Sequence, residues 1–368
     1  MGWWRFAPFF CMSVFDLNSY DYDLPERLIA NVPVGRRDES RLLVANKKGR
    51  VLAQTYFGRI IDWLNENWVL VLNNTKVFNA RLTVVKKGKG SMMEMLVVRE
   101  LLPGYWEVMC KRAKKVKVGD VYTFVSGDQA VEMRVVDRLE EGLRLMQVDL
   151  SRRDFLQVLQ SVGVVPLPTY IEKQPEVDYQ SLYQTVFAKS VGSVAAPTAG
   201  LHFTPKLLSE LRNQGVSIEE ITLHVGPGTF APVRGEDIRE HRMHEEKMEI
   251  DVNVVARLNE HKRVGKKIMA VGTTATRWLE SLADDGWLRS IEGEWMTDLF
   301  IYPGYKFKFV DGIVTNFHLP KSTLLMLVAA FLGENEIGIE RLQQIYKLAM
   351  DGDYRFYSFG DAMMICPD

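Results

Sequence analysis

The stretch over residues 66–152 limits the fold most, because strand patterns follow one another there with no convincing helix between them. Val131, Met133 and Val135 alternate with charged residues, a period of two that is typical of a half-buried strand. The runs "KKGKG" (86–90) and "VSGDQ" (125–129) are typical of hairpin turns. The clearest strands are "YWEVMC" (105–110), "VYTFV" (121–125), "AVEMRVV" (130–136) and "LRLMQVDL" (143–150). About six short strands in succession predict a small closed antiparallel β-barrel.

Helices alternate with strands in the rest of the chain. Thr204 and Pro205 predict a helix start, because a hydroxyl cap precedes a proline at the first helical position. Further along the chain we expect a helix over 252–263, a strand over 266–271 and a helix from about residue 275. This alternation predicts an α/β layered main domain with parallel strand pairing.

The order of the two patterns along the chain predicts a discontinuous main domain. The segments "LPERLIA" and "IIDWLNE" have helical spacing and are expected to pack on the α/β domain. We therefore predict an α/β catalytic domain of residues 1–65 and 153–368, into which a β-barrel domain of residues 66–152 is inserted.

Composition excludes several classes of protein. The 368 residues suffice for two domains, and a formal net charge of -1 gives no general attraction to nucleic acid or membrane. Three scattered cysteines form neither a metal motif nor a disulfide framework, which favours the reducing cytoplasm. The most apolar run, "LLMLVAAFL" (324–332), is far shorter than the ~20 residues that a bilayer requires. The aromatic start "MGWWRFAPFFC" lacks the features of a secretory signal, and we expect a packed tail or an upstream start codon.

Histidines lie beside runs of small residues in the predicted α/β domain. His202 ends the run "AAPTAGLHF" (195–203), and His224 ends a predicted strand and precedes "VGPGTF" (225–230). Ligands of open α/β sheets bind beyond the carboxyl ends of the strands. A single histidine is more often a structural residue, but several at strand ends predict a ligand pocket with proton-transfer groups.

The segment "VGTTATRWLES" (271–281) predicts a strand that leads directly into a helix. Free N–H groups and threonine hydroxyls at a helix N-terminus suit a phosphate or a carboxylate. The spacing matches neither a Walker motif nor a dinucleotide-binding fingerprint, and an ordinary helix cap explains the threonines equally well.

Two charged clusters carry open alternatives. The run "HRMHEE" (241–246) is compatible with a zinc site, with a His–Glu pair for proton transfer, or with an exposed turn, and it matches no zinc-protease motif. The run "KRAKKVK" (111–117), together with the lysines of the hairpin turn at 86–90, is either a solvated strand face or a stripe for a phosphate backbone.

Long ordered segments resemble the S-adenosylmethionine:tRNA ribosyltransferase-isomerase family of queuosine biosynthesis over nearly the whole chain. They are "YDYDLPERLIA" (20–30), "RRDESRLLV" (36–44), "NNTKVFNARL" (73–82), "AAPTAGLHF", "TLHVGPGTFAPV" (222–233), "HRMHEE", "VGTTATRWLES", "TDLFIYPGYKFKFVDGIVTNFHLPKSTLLMLVAAF" (297–331) and "YRFYSFGDAMMI" (354–365).

The resemblance implies an enzyme that acts on tRNA carrying 7-aminomethyl-7-deazaguanine at the wobble position. The family transfers and isomerises the ribosyl part of S-adenosylmethionine onto this base, giving epoxyqueuosine and releasing adenine and methionine. S-adenosylmethionine would be consumed as a substrate, with no separate cofactor and no metal, in a cytoplasmic protein that we expect to be a monomer with no membrane contact. The alternatives are a non-catalytic tRNA-binding protein on the same fold and a metal-dependent hydrolase.

The resemblance also implies roles for individual residues. The expected acid–base set is His202, His224, His241, His244, Glu246 and His318. Thr273, Thr274 and Arg277 are expected to hold the methionine carboxylate, while Phe203, Phe230 and Tyr302 are expected to stack on adenine or the wobble base. The other expected substrate-binding residues are Thr198, Gly200, Gly226, Gly228, Thr229, Asn316, Arg355 and Asp361. The expected tRNA-binding residues are Lys111, Arg112, Lys114, Lys115 and Lys117.

Overall fold

The computed structural model describes residues 13–127, 129–230, 233 and 235–368, with only the backbone of residues 229 and 230. The predictions for the aromatic segment 1–11 lie outside the described residues. The strands are β1 (Arg41–Asn46), β2 (Val51–Tyr56), β3 (Trp68–Asn73), β4 (Thr75–Val77), β5 (Arg81–Lys86), β6 (Met92–Leu102), β7 (Tyr105–Cys110), β8 (Val121–Ser126), β9 (Gln129–Arg138), β10 (Leu143–Gln147), β11 (Ser190–Ser193), β12 (Ser217–His224), β13 (Glu246–Ile250), β14 (Lys267–Val271), β15 (Ala283–Asp284), β16 (Trp287–Leu288), β17 (Gly293–Thr297), β18 (Gly312–Asn316) and β19 (Ala362–Cys366).

The helices of the described residues are α1 (Arg152–Val162), α2 (Tyr179–Leu182), α3 (Pro205–Asn213), α4 (Val252–Arg263), α5 (Thr273–Leu282), α6 (Thr323–Leu332) and α7 (Asn335–Asp351). Short 3-10 helices span Leu17–Tyr20, Glu26–Leu28, Arg37–Glu39, Phe57–Asp62, Ala113–Lys115, Glu140–Gly142, Thr198–His202, Pro227–Phe230 and Ile238–Glu240. Within the described part of the chain, no helix is both long enough and apolar enough to cross a membrane.

The chain divides into two compact units. The sheet unit comprises Met1–Asn73, Thr198–Ile221 and Gly228–Asp368, and the barrel unit comprises Asn74–Pro197 and Thr222–Pro227.

The sheet unit contains a nine-stranded mixed sheet in the order β17-β13-β12-β3-β14-β18-β19-β1-β2. Its centre is parallel, since β12 pairs with β3, β3 with β14 and β14 with β18 in the same direction. All six residues of β3 are buried, as expected for a parallel strand that is covered on both faces. The predicted α/β layered domain with parallel pairing is confirmed.

The order in which the chain adds strands to this sheet changes sides at β3. After β3 the chain adds β12 on one side, and it then crosses to the other side to add β14 and β18. Such a switch point opens a crevice beyond the carboxyl ends of the strands, where open α/β sheets bind their ligands. The carboxyl ends of β3, β14 and β18 therefore locate the candidate site of the sheet unit.

The barrel unit contains a closed barrel of six antiparallel strands in the order β10-β7-β6-β5-β8-β9, which confirms the predicted inserted barrel. Apolar side chains fill its interior, and Phe155 of α1 packs edge-on against Trp106 with ring centroids 4.9 Å apart. The compact units differ from the predicted ranges in three places, at residues 66–73, 153–197 and 222–227, the last of which include His224. β3, predicted inside 66–152, pairs in the nine-stranded sheet, and α1, predicted outside it, shares the core of the barrel.

Two local predictions differ from the structure. The helical spacing of "LPERLIA" yields only the 3-10 turn Glu26–Leu28, closed by a bond from the Leu28 N–H to the Pro25 carbonyl. The helical spacing of "IIDWLNE" likewise yields only the end of the 3-10 helix Phe57–Asp62. Helix α6 begins at Thr323, because the Ser322 hydroxyl accepts from the N–H of Leu325 and caps it there.

The start of β18 is attached to α5 by one buried carboxylate. Glu280 accepts hydrogen bonds from the backbone N–H groups of Lys308, Phe309 and Val310 at 2.9–3.0 Å, and from the hydroxyl of Tyr305 at 3.1 Å. Its four acceptor sites match four donors, so the segment that leads into β18 has a fixed path.

We expect Glu280→Gln to lower the free energy of unfolding by about 2–4 kcal/mol, because an amide NH₂ replaces a carboxylate oxygen among buried donors. Urea unfolding followed by circular dichroism measures the change. The matched control is Glu260→Gln, which removes only an exposed pair with Arg263 and is expected to leave stability nearly unchanged. Equal stabilities of the two variants would contradict this role of Glu280.

Candidate active site

The first part of the site lies where β3 and β14 end. α5 begins directly after β14, and Gly272 makes this close turn with a φ of 89° that favours glycine. The amide of Asn73, the last residue of β3, donates to the Thr274 hydroxyl at 3.3 Å. Since glycine provides no side-chain cap, the first N–H groups of α5 remain available at the positive end of the helix dipole. This arrangement suits a carboxylate or a phosphate.

The second part lies where β18 ends. The Thr198 hydroxyl donates to the side-chain oxygen of Asn316 at 2.8 Å, and the Asn316 amide nitrogen lies 3.2 Å from Nε2 of His202. The other ring nitrogen of His202, Nδ1, lies 2.7 Å from the Ser40 hydroxyl, and the ring stacks on Phe57 with centroids 4.9 Å apart. The predicted residues Thr198, His202 and Asn316 are thus brought together in one hydrogen-bonded group.

The imidazole of His202 is neutral at physiological pH. Burial lowers its pKa to about 3, and the nearby guanidinium groups of Arg355 and Arg37 contribute in the same direction. The Arg37 side chain also donates to the Leu201 carbonyl at 3.3 Å, within the turn that ends at His202. Phe203 is fully buried edge-on against Phe57, so it packs in the core instead of offering a face for stacking on a base.

His318 follows β18 by two residues and is also buried. Its Nε2 lies 2.7 Å from the Thr315 hydroxyl, and its backbone N–H donates to the Tyr346 hydroxyl at 2.9 Å. The Tyr22 hydroxyl donates to its backbone carbonyl. Burial lowers the pKa of this imidazole to about 3, so His318 is neutral as well.

Two residues predicted for different roles form one buried ion pair. Arg277, expected to bind the methionine carboxylate, donates through Nη1 to Glu246, expected to carry a proton, and through Nε to the Leu299 carbonyl at 2.9 Å. Both side chains are almost fully buried. Each charge therefore neutralises the other, because burial would otherwise leave them unpaired at a high cost.

The rest of the 241–246 segment lies near the surface of the sheet unit. The half-buried ring of His241 packs edge-on against Phe300 with centroids 5.5 Å apart, and the backbone of Gly228 lies against the ring of His244. Among the described residues, no group of three His, Cys, Asp or Glu side chains is arranged to hold a metal ion.

His224 belongs to the barrel unit. Its Nδ1 lies 2.8 Å from the Thr75 hydroxyl, which lies 2.6 Å from the Ser193 hydroxyl, and Ser193 accepts from the N–H of Val225 at 2.8 Å. Gly192 is required here, since a Cβ at this position would come within 2.6 Å of the His224 ring. This chain of hydroxyl groups orients the imidazole.

Other predicted residues have structural partners. Arg355 donates to the carbonyls of Val32 and Phe359, each at 3.1 Å. Asp361 accepts from the backbone N–H groups of Arg41 and Arg355 at 2.8 Å each, and burial raises the pKa of this carboxyl. These bonds hold residues 355–361 in a turn before β19.

The remaining predicted substrate residues are dispersed. Tyr302 packs against Phe300 with ring centroids 5.1 Å apart, and Gly200 is buried within the 3-10 helix Thr198–His202. Gly226 lies in the barrel unit. The side chains of Thr229 and Phe230 lie outside the described residues.

The five predicted tRNA-binding residues are exposed in the connection between β7 and β8. None of them forms an ion pair with a described residue, and Arg112 has a left-handed φ of 64° that turns the chain. The hairpin lysines differ, because Lys86 is paired with Asp120 and Lys87 with Glu132. Two of the three hairpin lysines are therefore neutralised, while Lys89 is exposed. Lys111, Arg112, Lys114, Lys115 and Lys117 are here called the basic connection.

Sequence reasoning missed several polar groups around these histidines. They are Ser40, Asn73, Thr75, Ser193 and Thr315. Only Asn73 and Thr75 had a usable sign, since "NNT" follows directly on an apolar strand and so lies at its carboxyl end.

Comparisons with known proteins agree on one family. Residues 17–365 match the family model described as queuosine biosynthesis protein. S-adenosylmethionine:tRNA ribosyltransferase-isomerases of Halothermothrix orenii and Pelotomaculum thermopropionicum are each 47% identical over 350 residues, covering 95% of this chain and 99% of the relative. The crystal structure of S-adenosylmethionine tRNA ribosyltransferase from Thermotoga maritima is 36% identical, with a TM-score of 0.52 over 94% of this chain and 99% of that chain.

These relatives are transferases, and the class of protein that they define is a transferase with an α/β sheet and an inserted barrel. The chain belongs to the queuosine biosynthesis family, and the resemblance inferred from its motifs is confirmed.

The two buried histidines predict a loss of stability in mild acid. Their pKa is about 3 in the folded protein and about 6.5 when unfolded, so the unfolded state binds more protons as the pH falls below 6.5. Between pH 7 and pH 5, each histidine is expected to lower the free energy of unfolding by about 2 kcal/mol.

Urea unfolding of His318→Gln at pH 7 and pH 5 checks this expectation, since the variant should lose about 2 kcal/mol less than the parent protein between the two values. The control Ile313→Val, in the core of β18, should be less stable at both pH values and show the full pH effect. A pH effect that is the same in all three proteins would refute the buried neutral state of His318.

Proposed function

We propose that the chain transfers and isomerises the ribosyl part of S-adenosylmethionine onto 7-aminomethyl-7-deazaguanine at the wobble position of tRNA. The products would be epoxyqueuosine in the tRNA, adenine and methionine. The family match over residues 17–365 and the near-complete coverage of the ribosyltransferase-isomerase relatives support this activity. S-adenosylmethionine is consumed as a substrate, and the proposal requires neither a metal nor a separate cofactor.

The observation that carries the proposal is the α5 N-terminus at the switch point of the sheet. Its free N–H groups, together with the buried Thr273 and Thr274, suit the carboxylate of the methionine part. We leave Arg277 out of this carboxylate site, because Glu246 already neutralises its charge. Asn316 and Thr198, at the end of the neighbouring parallel strand β18, supply polar contacts for the rest of the substrate.

The chemistry needs groups that move protons. A base removes the acidic C5′ proton beside the sulfonium, an acid protonates the departing adenine, and the aminomethyl nitrogen attacks as a neutral amine. His224, His241, His244 and His318 remain the proposed acid–base set. The ion pair with Arg277 favours a positioning role for Glu246.

We further propose that the basic connection of the barrel contacts the phosphates of tRNA. Exposed lysine and arginine side chains without acidic partners can release counterions from a phosphate backbone. A tRNA substrate also favours a cytoplasmic location, and we propose that the protein acts there as a monomer.

The direct test is incubation of the protein with S-adenosylmethionine and tRNA that carries the aminomethyl base. We expect one adenine released for each tRNA converted, measured by chromatography, with the new nucleoside identified by mass spectrometry. Tight tRNA binding without adenine release would instead support the non-catalytic alternative, and adenine release abolished by EDTA would support metal dependence.

In the same assay, Thr273→Val is expected to raise the KM for S-adenosylmethionine by about tenfold, because it removes a hydroxyl at the proposed carboxylate site. Thr323→Val is the matched control, since Thr323 is also the buried first residue of a helix but follows the Ser322 cap. An unchanged KM in Thr273→Val would place the carboxylate elsewhere.

Replacing Lys114, Lys115 and Lys117 by alanine is expected to weaken tRNA binding and to flatten its salt dependence by about one unit of log–log slope per lost phosphate contact. Filter binding measures the dissociation constant for tRNA at salt concentrations from about 50 to about 200 mM, where phosphate contacts have a large effect. The control replaces Lys206 and Lys347, exposed helix lysines that are paired with Glu210 and Asp351. If the binding constant of the triple variant had the same salt dependence as that of the parent protein, the basic connection would not contact tRNA.

A further inference from the structure

We propose that His202 is a positioning residue that holds the amide of Asn316 in one orientation and carries no proton during the reaction. This inference rests on the proposed function, because it assigns a role within the same site. It follows from counting donors and acceptors around the His202 ring.

The orientation of the Asn316 amide is set by Thr198. The Thr198 hydroxyl donates at 2.8 Å to the side-chain oxygen of Asn316, so the amide nitrogen is the atom that faces Nε2 of His202 at 3.2 Å. An amide nitrogen can only donate a hydrogen bond. Nε2 of His202 must therefore be the unprotonated acceptor, and the ring proton lies on Nδ1.

The other side of the ring agrees with this tautomer. Nδ1–H of His202 donates to the Ser40 oxygen at 2.7 Å, which leaves the Ser40 hydroxyl proton for the Arg37 carbonyl at 3.1 Å. In the opposite tautomer Ser40 would donate to Nδ1, and the Arg37 carbonyl would lose this hydrogen bond. The donors of this network are the Thr198 hydroxyl, the Asn316 amide, the His202 ring N–H and the Ser40 hydroxyl. Each of them has an acceptor only when Nδ1 of His202 carries the ring proton.

A second proton does not fit in this network. It would place Nε2–H of His202 against the N–H of Asn316, so the amide would have to rotate and break its bond from Thr198. The ring is also stacked on Phe57 and almost fully buried. The guanidinium groups of Arg37 and Arg355 oppose a positive charge there.

The consequence is a fixed polar group at the end of β18. An asparagine side chain has two N–H donors and two acceptor positions, of which Thr198 and His202 occupy one each. One donor and one acceptor of Asn316 remain for a ligand beyond the carboxyl edge of the sheet. His202 then acts on the substrate through Asn316, and its removal loosens binding without removing a proton-transfer step.

The first experiment measures the tautomer directly in the free protein. Imidazole ¹⁵N and ¹H resonances of the full chain labelled with ¹⁵N-histidine are assigned by their loss in His202→Gln. We expect the neutral Nδ1–H form from pH 5.5 to pH 8, unchanged when S-adenosylmethionine is added. An Nε2–H tautomer, or an imidazolium in this range, would overturn the proposal, whatever the outcome of the activity assay.

The second experiment separates positioning from proton transfer in the adenine-release assay. His202→Gln keeps an acceptor for Asn316, so we expect its kcat within about tenfold of the parent protein and an unchanged pH profile. A proton carrier would lose about 100-fold or more in kcat and one limb of the profile, which would overturn the proposal.

A double-mutant cycle identifies the residue through which His202 acts. His202→Ala and Asn316→Ala are each expected to raise the KM for S-adenosylmethionine, and the double variant should be no worse than Asn316→Ala alone. Additive effects would overturn the coupling. Thermal unfolding confirms that each variant is folded, and the tautomer measurement on the parent protein decides the proposal if a variant is not.

Discussion

The site depends on one constraint, the parallel pairing of β3 with β14 and of β14 with β18. Parallel pairing brings the ends of these strands to the same edge, so Asn73, Thr273 and Asn316 lie at one edge of the sheet although they are far apart in the chain. The change of sides at β3 leaves this edge open. Glu280 supports the arrangement by fixing the segment that leads into β18. The site is thus a product of sheet topology, with polar side chains supplied by the strand ends, by the first turn of α5 and by the 3-10 helix Thr198–His202.

Much of the fold followed from local patterns. The helix over 252–263 has the predicted bounds, and Thr204 and Pro205 begin α3 as expected, because caps and apolar periodicity act within a few residues. The site was predicted less well, because its partners are distant in sequence. Ser40 lies 162 positions before His202, and Glu246 lies 31 positions before Arg277. No local pattern indicates such pairs. For the same reason β3 was predicted within the barrel range 66–152, whereas it pairs with β14 in the nine-stranded sheet.

Burial determines what the histidines of the sheet unit can do. It lowers the pKa of His202 and His318, so both rings are neutral where a surface histidine would be partly charged. The cost is stability in acid, since unfolding allows both rings to take up protons. A fixed tautomer is the gain, because a neutral ring presents one donor and one acceptor whose places are set by neighbours such as Ser40 and Thr315.

Neutral imidazoles also suit the charge of the proposed substrate. S-adenosylmethionine carries a sulfonium cation, and an imidazolium at the same edge of the sheet would repel it across a poorly screened distance. The carboxylate of the substrate needs the opposite environment, which the N-terminus of α5 supplies through backbone dipoles. Pairing Arg277 with Glu246 removes a further full positive charge from the surroundings. Helix N–H groups, hydroxyls, an amide and neutral rings can therefore hold a zwitterionic methionine part beside a cationic sulfur, while the guanidinium groups of Arg37 and Arg355 lie near His202. The arrangement has no glycine-rich loop of the kind found in common nucleotide-binding folds.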